Sequence, residues 1–165
     1  MDQPKPYREL PTRLSHRCFG CGSENPHGLR MIFHTDEKSV FSDIVIPDHM
    51  VGWKNFAHGG ILSTILDEIM GWSAIYLTKN LVLTKSIAVD FLRPVPVGTT
   101  LRAEGRISKV RSDREVAMEG FLLNSNGVVH ARGKGVFALF KIDAAMKFGI
   151  ADEKELRELE RVFNL

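Results

Sequence analysis

The chain lacks most of the features that assign a protein to a class at a glance. It has two cysteines, Cys18 and Cys21, in 165 residues. Two thiols make no disulfide framework in a chain of this length. Charge of one sign is also missing: 22 basic residues face 20 acidic ones, a formal net of +2. That balance gives no electrostatic footprint for nucleic acid, and no nucleic-acid partner is expected. No apolar run approaches the roughly 20 residues that span a bilayer, so no membrane partner is expected either. The stretch from Met1 to Arg17 is polar, carries Pro4, Pro6 and Pro11, and has no signal-like apolar core. A cytoplasmic protein is the expectation. There is no internal repeat and no low-complexity block.

What is present is ordinary in bulk. The hydrophobic set makes up 44% and the charged set 25%, which excludes global disorder. A chain of this length is one domain and can bury a core without staples. Residues 1–28 read as a lead-in that ends in a segment dense in turn formers, Cys18-Phe19-Gly20-Cys21-Gly22 through Asn25-Pro26-His27-Gly28. Leu29 to His34 and Val40 to Ile46 read as strands around the polar turn Thr35–Ser39. Asp48 to Ala57 reads as a loop. From His58 to about Leu77 the apolar residues Ile61, Leu62, Ile65, Leu66, Ile69, Trp72 and Tyr76 recur at helical spacing. A second stripe, Gly60, Ser63, Thr64, Asp67, Gly71 and Ala74, is small or polar. Such a helix is buried almost all round.

Strand texture follows: Val82 to Leu92, Leu101 to Val110, Glu115 to Leu123, and Val128 to Phe140, with Gly133 and Gly135 as bulge or bend points. Ser112-Asp113 and Asn124 to Gly127 are turn signals. Asp152 to Phe163 reads as an amphipathic helix in a C-terminal segment, 141–165. The resulting architecture is α+β: an antiparallel sheet of five to six strands around one long helix, with the main domain at 29–140.

Asp67 breaks the pattern of its helix. An ionised carboxylate between Ile65-Leu66 and Ile69-Met70 is costly unless it is paired or faces a cavity. Glu68 lies about 100° around the helix and falls off the small-residue stripe. One reading leaves both carboxylates exposed or paired with basic strand residues; the other makes Asp67 a chemical group. His58-Gly59-Gly60 is the second feature. A glycine pair at a helix start lets a ligand approach free N–H groups closely, and the helix terminus favours developing negative charge.

The run His58-Gly59-Gly60-Ile61-Leu62-Ser63-Thr64-Ile65-Leu66-Asp67-Glu68 resembles the core motif of hotdog-fold acyl-CoA thioesterases of the phenylacetate-pathway (PaaI-like) type, relatives of 4-hydroxybenzoyl-CoA thioesterase. Val89-Asp90-Phe91-Leu92-Arg93-Pro94 continues the likeness, and the Cys18–Gly22 and Asn25–Leu29 segments resemble the N-terminal part of one subgroup. The resemblance covers roughly residues 17–140. It implies a hotdog fold and hydrolysis of an acyl-CoA thioester, with no cofactor beyond the CoA of the substrate. It implies Asp67 as nucleophile or general base, the Gly59 N–H as oxyanion donor, and His58 as a group that shapes the loop or touches substrate. Thr84 falls where some members hold the attacking water. Some relatives carry Asn or Gln six residues before the His; here that position is Gly52, and His49 or Asn55 could supply the polar group.

Gly59 and Asp67 stand eight residues apart, about 12 Å along one helix. Both can act on one thioester only if they come from different protomers. A homo-oligomer, dimer or dimer of dimers, with composite sites at its interface is therefore expected. Gly60 and Trp53 are assigned to substrate binding and Trp72 to the core. Arg93 and the Lys109–Arg114 turn are favoured for the CoA phosphates, over Arg132 and Lys134. Cys18 and Cys21 with His16 and His27 offer four nominal zinc ligands, but no second Cys-x-x-Cys follows and the spacing to either histidine fits no standard zinc pattern. Buried thiols in a turn, and no metal, are expected. Two other functions stay open: a non-catalytic acyl-CoA sensor, and a dehydratase or hydratase using His49 and Glu68.

Overall fold

A computed structural model describes residues 7–11 and 16–164. Most of the irregular lead-in expected before residue 17, with Pro4 and Pro6, lies outside the described residues. Within them the chain forms β1 (Arg8–Glu9), β2 (His34–Thr35), β3 (Val40–Val45), α1 (Gly59–Thr78), β4 (Leu81–Phe91), β5 (Thr100–Ser112), β6 (Glu115–Asn124), β7 (Val129–Phe140), α2 (Ile142–Lys147) and α3 (Glu153–Phe163). One antiparallel sheet takes the order β1-β2-β3-β5-β6-β7-β4. Five of its strands are long and two are two-residue pieces, so the expected five or six strands are matched by the long ones.

The sheet buries one face at a period of two. Leu101, Ala103 and Gly105 of β5, Val116, Met118, Gly120 and Leu122 of β6, and Ala131, Gly133, Gly135, Phe137 and Leu139 of β7 all face inward. Helix α1 lies across that face. It buries Leu62, Ile65, Leu66, Ile69, Met70, Trp72, Ser73, Ala74 and Tyr76, the nearly all-round burial that its composition implies. His58 caps its start, with Nδ1 accepting from the Gly60 N–H at 3.0 Å. Lys79 ends it in the left-handed region (φ 54°), where its N–H donates to Ile75 O.

Gly133 and Gly135 are not bulges. Both pair in regular register with β4, opposite Val89 and Ile87, and the irregularity sits between Thr84 and Ser86. Their role is steric. Gly105 pairs with Gly120, and Gly120 pairs with Gly133. The three form a row across the central strands directly beneath α1. A Cβ at Gly105 would stand 2.3 Å from Ser73 Oγ and 2.7 Å from the Ile69 carbonyl oxygen. At Gly120 and Gly133 it would press on Met70 and Leu66. The row is a trough in which the helix backbone sits.

Three other expectations change. Residues 29–33 form no strand, although Leu29, Met31 and Phe33 are buried in alternation. Arg30 has φ 51°, and the N–H groups of Leu29 and Met31 donate to Phe19 O and Gly20 O rather than to a sheet. The lead-in is not wholly irregular, since Arg8–Glu9 pairs with His34–Thr35. The C-terminal segment holds two helices rather than one. Asp152 caps α3 with a reciprocal box to Glu155, and α3 buries Leu156 and Leu159 against Leu81 and Ala145. Among the described residues no helix is long and apolar enough to cross a membrane.

Gly105→Ala should cost about 1–3 kcal/mol, because the Cβ meets a helix carbonyl that cannot rotate away. Thermal unfolding checks this. An unchanged midpoint would show that helix and sheet do not approach so closely.

Candidate active site

Asp67 and Glu68 leave α1 in different directions, and each finds a partner of its own. Asp67 is half-buried and accepts a hydrogen bond from Thr84 Oγ1 on β4 at 2.8 Å. Burial pushes its carboxyl above the ordinary range, the Thr84 hydroxyl opposes that, and nearby Cys18 adds to it. Glu68 points toward the turn segment, with Oε1 3.3 Å from Cys18 Sγ. Of the two readings of these carboxylates, the one that leaves Glu68 exposed or paired with a basic strand residue does not hold: it is not exposed and its side-chain partner is Cys18. Burial, then the charge at Cys18, pushes the Glu68 carboxyl upward.

Glu68 can reach the thiols because residue 20 is glycine. A Cβ there would lie 2.1 Å from Glu68 Cγ and 2.3 Å from Cδ. Gly22 is needed for a different contact: its Cβ would fall 2.5 Å from both the N and the O of Cys18. The neighbouring Cys21 thiol pulls the Cys18 thiol down, burial opposes it, and the Cys21 and Gly20 backbone adds to the lowering. The Cys18 contact and burial push Cys21 the other way. Trp72, 4% exposed, donates from Nε1 to Cys21 Sγ at 3.3 Å and stacks on Phe33. It is the core residue expected.

Two concavities flank α1. The first is a cavity of about 230 Å³ lined by Cys18, Cys21, Asp67, Glu68, Thr84 and Phe137, with Ile150 and Leu159 adding a wall from the C-terminal segment. The second is a groove of about 540 Å³ at the helix start, lined by Trp53, His58, Gly59, Phe91, Arg93 and Val95 among others. Asp67 and Gly59 therefore belong to different concavities of one chain, as their eight-residue separation requires.

The remaining expected residues divide accordingly. Trp53 is 87% exposed and edges the groove. Arg93 donates from Nη1 to Val129 O and brings the groove its positive charge. The Gly60 N–H is taken by the His58 cap. His49 and Asn55 are exposed and line neither concavity. Gly52 packs on His58, with a Cβ placed 3.2 Å from His58 Cα. Of the basic turn, Arg111 pairs with Glu115, while Arg132 pairs with Asp90 at 2.7 Å. Sequence reasoning missed the joining of Glu68 to Cys18 and Cys21. The available signal was an acid on an apolar helix and a thiol pair spaced by glycine, each lacking a partner nearby in sequence.

Residues 54–116 match the family model described as the thioesterase superfamily. The structure of the E. coli PaaI protein from the phenylacetic acid degradation operon overlays with a TM-score of 0.62, at 18% identity, over 68% of this chain and 81% of that one. The chain has the hotdog fold, and its similarity to the thioesterase superfamily lies in residues 54–116. A Streptococcus mutans protein, smu.793, solved with acetyl-CoA bound, overlays with a TM-score of 0.58 at 20% identity, covering 62% of this chain and 81% of the other. Among curated proteins, acyl-coenzyme A thioesterase THEM4 of Xenopus laevis is 24% identical over 54% of this chain. The chain spans 40% of that relative's length.

In a double-mutant cycle, Thr84→Val and Asp67→Ala should couple by about 0.5–3 kcal/mol. Urea unfolding of the four proteins measures it. Strict additivity would show that the hydroxyl does not hold the carboxylate.

Proposed function

We propose that this hotdog protein hydrolyses an acyl-CoA thioester to the free acid and CoA. The observation that carries the reading is the placement of Asp67: a carboxylate held by Thr84 on the wall of a cavity, on a helix whose glycine N-terminus opens a separate apolar groove. The acetyl-CoA carried by smu.793 and the activity named for THEM4 support the ligand class.

In this reading the thioester carbonyl lies at the start of α1. The Gly59 N–H is at the first helical position and has no acceptor within the helix. It donates to the carbonyl oxygen and, with the positive end of the helix dipole, stabilises the oxyanion as it forms. Asp67 of a second protomer either takes a proton from water as the water adds to the carbonyl carbon, or adds directly to form an anhydride that water then cleaves. The carbon–sulfur bond breaks, and CoA leaves as a thiolate that takes up a proton. The groove's Phe91, Leu62 and Trp53 offer apolar surface to the acyl or pantetheine chain, and Arg93 offers charge to a phosphate.

The pairing of protomers has a physical support. β4 is an edge strand eleven residues long, mostly exposed, with Leu83, Ile87 and Phe91 all more than a third open to solvent. A long unpaired edge with apolar side chains is a template for association. It carries Thr84 in its first half and Phe91 at its end, so an association along β4 brings one chain's groove toward another chain's Asp67.

Thiol release from short, long and aromatic acyl-CoAs tests the activity. Asp67→Asn should lose about two or more orders of magnitude on whichever substrate turns over. Binding without turnover across the panel would replace the enzyme by an acyl-CoA sensor. Gly59→Pro tests the sharing of sites. It deletes the N–H, proline is tolerated at a first helical position, and His58 already has the extended backbone (φ −64°, ψ 137°) that precedes proline. Each variant alone should be inactive, and co-expressed heterodimers should regain up to about half of the activity, since one of two composite sites is intact. No recovery in verified heterodimers would rule out shared sites.

A further inference from the structure

We propose that Cys18, Cys21 and Glu68 form a binding site for one thiophilic divalent cation of the zinc type, on the wall of the Asp67 cavity. The two sulfurs and a carboxylate oxygen of Glu68 all lie within 4.8 Å of one another. Around a tetrahedral zinc with Zn–S near 2.3 Å and Zn–O near 2.1 Å, neighbouring ligand atoms are about 3.6–3.8 Å apart. The Cys18 Sγ to Glu68 Oε1 distance of 3.3 Å is close to that edge. The three atoms need only small adjustments to share a metal.

The surroundings suit a metal thiolate centre. The turn is Cys-x-x-Cys followed by glycine, within the ligand spacing that zinc sites use. The Trp72 indole N–H is directed at Cys21 Sγ at 3.3 Å. Such a donor offsets part of the excess negative charge that two thiolates and a carboxylate place around a dication. Both glycines of Cys18-Phe19-Gly20-Cys21-Gly22 are required by this arrangement: position 20 admits Glu68, and position 22 lets the turn close on Cys18. All three ligands line the cavity that also holds Asp67 and Thr84, so the fourth coordination position faces that space. The ligand set differs from the one nominally available in sequence. His27 is exposed and neither histidine belongs to the group.

A cation here would tie the turn segment to α1 one residue from Asp67 and fix one wall of its cavity. The inference does not rest on the hydrolase reading, because its readouts are metal content and spectra.

Tag-free wild-type protein is incubated with zinc chloride, desalted and analysed for metal. About one zinc per chain is expected. Cobalt in place of zinc should give intense thiolate-to-cobalt charge-transfer absorption. Cys18→Ser and Cys21→Ser should abolish both signals, and Glu68→Gln should weaken retention about tenfold or more. Chelation of the loaded wild type should lower its melting temperature, and zinc should restore it, a readout that needs no variant to fold. Less than about a tenth of an equivalent on the wild type would overturn the site. So would full retention by the Cys18→Ser/Cys21→Ser double variant, or closure of the thiols to a disulfide in the presence of excess zinc.

Discussion

Everything near the two concavities depends on how closely α1 sits on the sheet. The row Gly105–Gly120–Gly133 removes three side chains from the middle of the inner face. The helix backbone descends into the space, near enough that the Ile69 carbonyl would stand 2.7 Å from a Cβ on β5. Close packing of this kind forgoes some apolar side-chain burial in exchange for backbone proximity and a fixed helix position. Ser73 Oγ donates to Ile69 O over the same spot at 2.6 Å, so the polar groups brought into the core are satisfied there. With the helix fixed, residues 67 and 68 project toward the flank where β4, the turn segment and α3 meet.

That flank handles two adjacent carboxylates by separating them. About 100° of helical rotation sends Asp67 to a hydroxyl on β4 and Glu68 to a pair of thiols in the turn segment. Among the described residues neither forms an ion pair with a cationic side chain. Burial raises both carboxyls, and a charged Cys18 raises them further. A region that concentrates acidic groups away from basic ones stores electrostatic cost, and such clusters occur where a substrate, proton or cation is handled. The proposed hydrolysis uses the first carboxylate and the proposed cation site uses the second. The two share one cavity wall but separate partners.

The C-terminal segment completes the flank. The capping box at Asp152 and Glu155 starts α3 firmly, and its apolar stripe seats on Leu81 and Ala145 beside the cavity. Ile150 and Leu159 thereby add a wall to a space that the sheet and α1 leave open. The opposite end of α1 stays uncovered within one chain, and there β4 offers an unpaired edge. The carboxylate flank is thus partly walled by the C-terminal segment, and the helix N-terminus borders the second groove.

The sequence alone carried the long helix, the five long strands, their antiparallel order and the anomaly of Asp67 on its apolar helix. Each follows from local regularities: helical spacing of apolar residues over 61–76, period-two burial, turn residues at hairpins, and a charged residue where none should be. The hotdog fold, and the similarity to the thioesterase superfamily that residues 54–116 carry, were legible from His58 to Asp67 and from Val89 to Pro94. The separation of Gly59 from Asp67 was legible as well, because helix rise is fixed by backbone geometry. Tertiary structure alone decided what the glycines do. Gly133 and Gly135 look like strand irregularities until three strands are in register and the row beneath α1 appears. Glu68 has the same history: its partners Cys18 and Cys21 lie about fifty residues upstream, and no periodicity links them. Proximity across such a separation is set by packing, and here it depends on the missing side chain of Gly20.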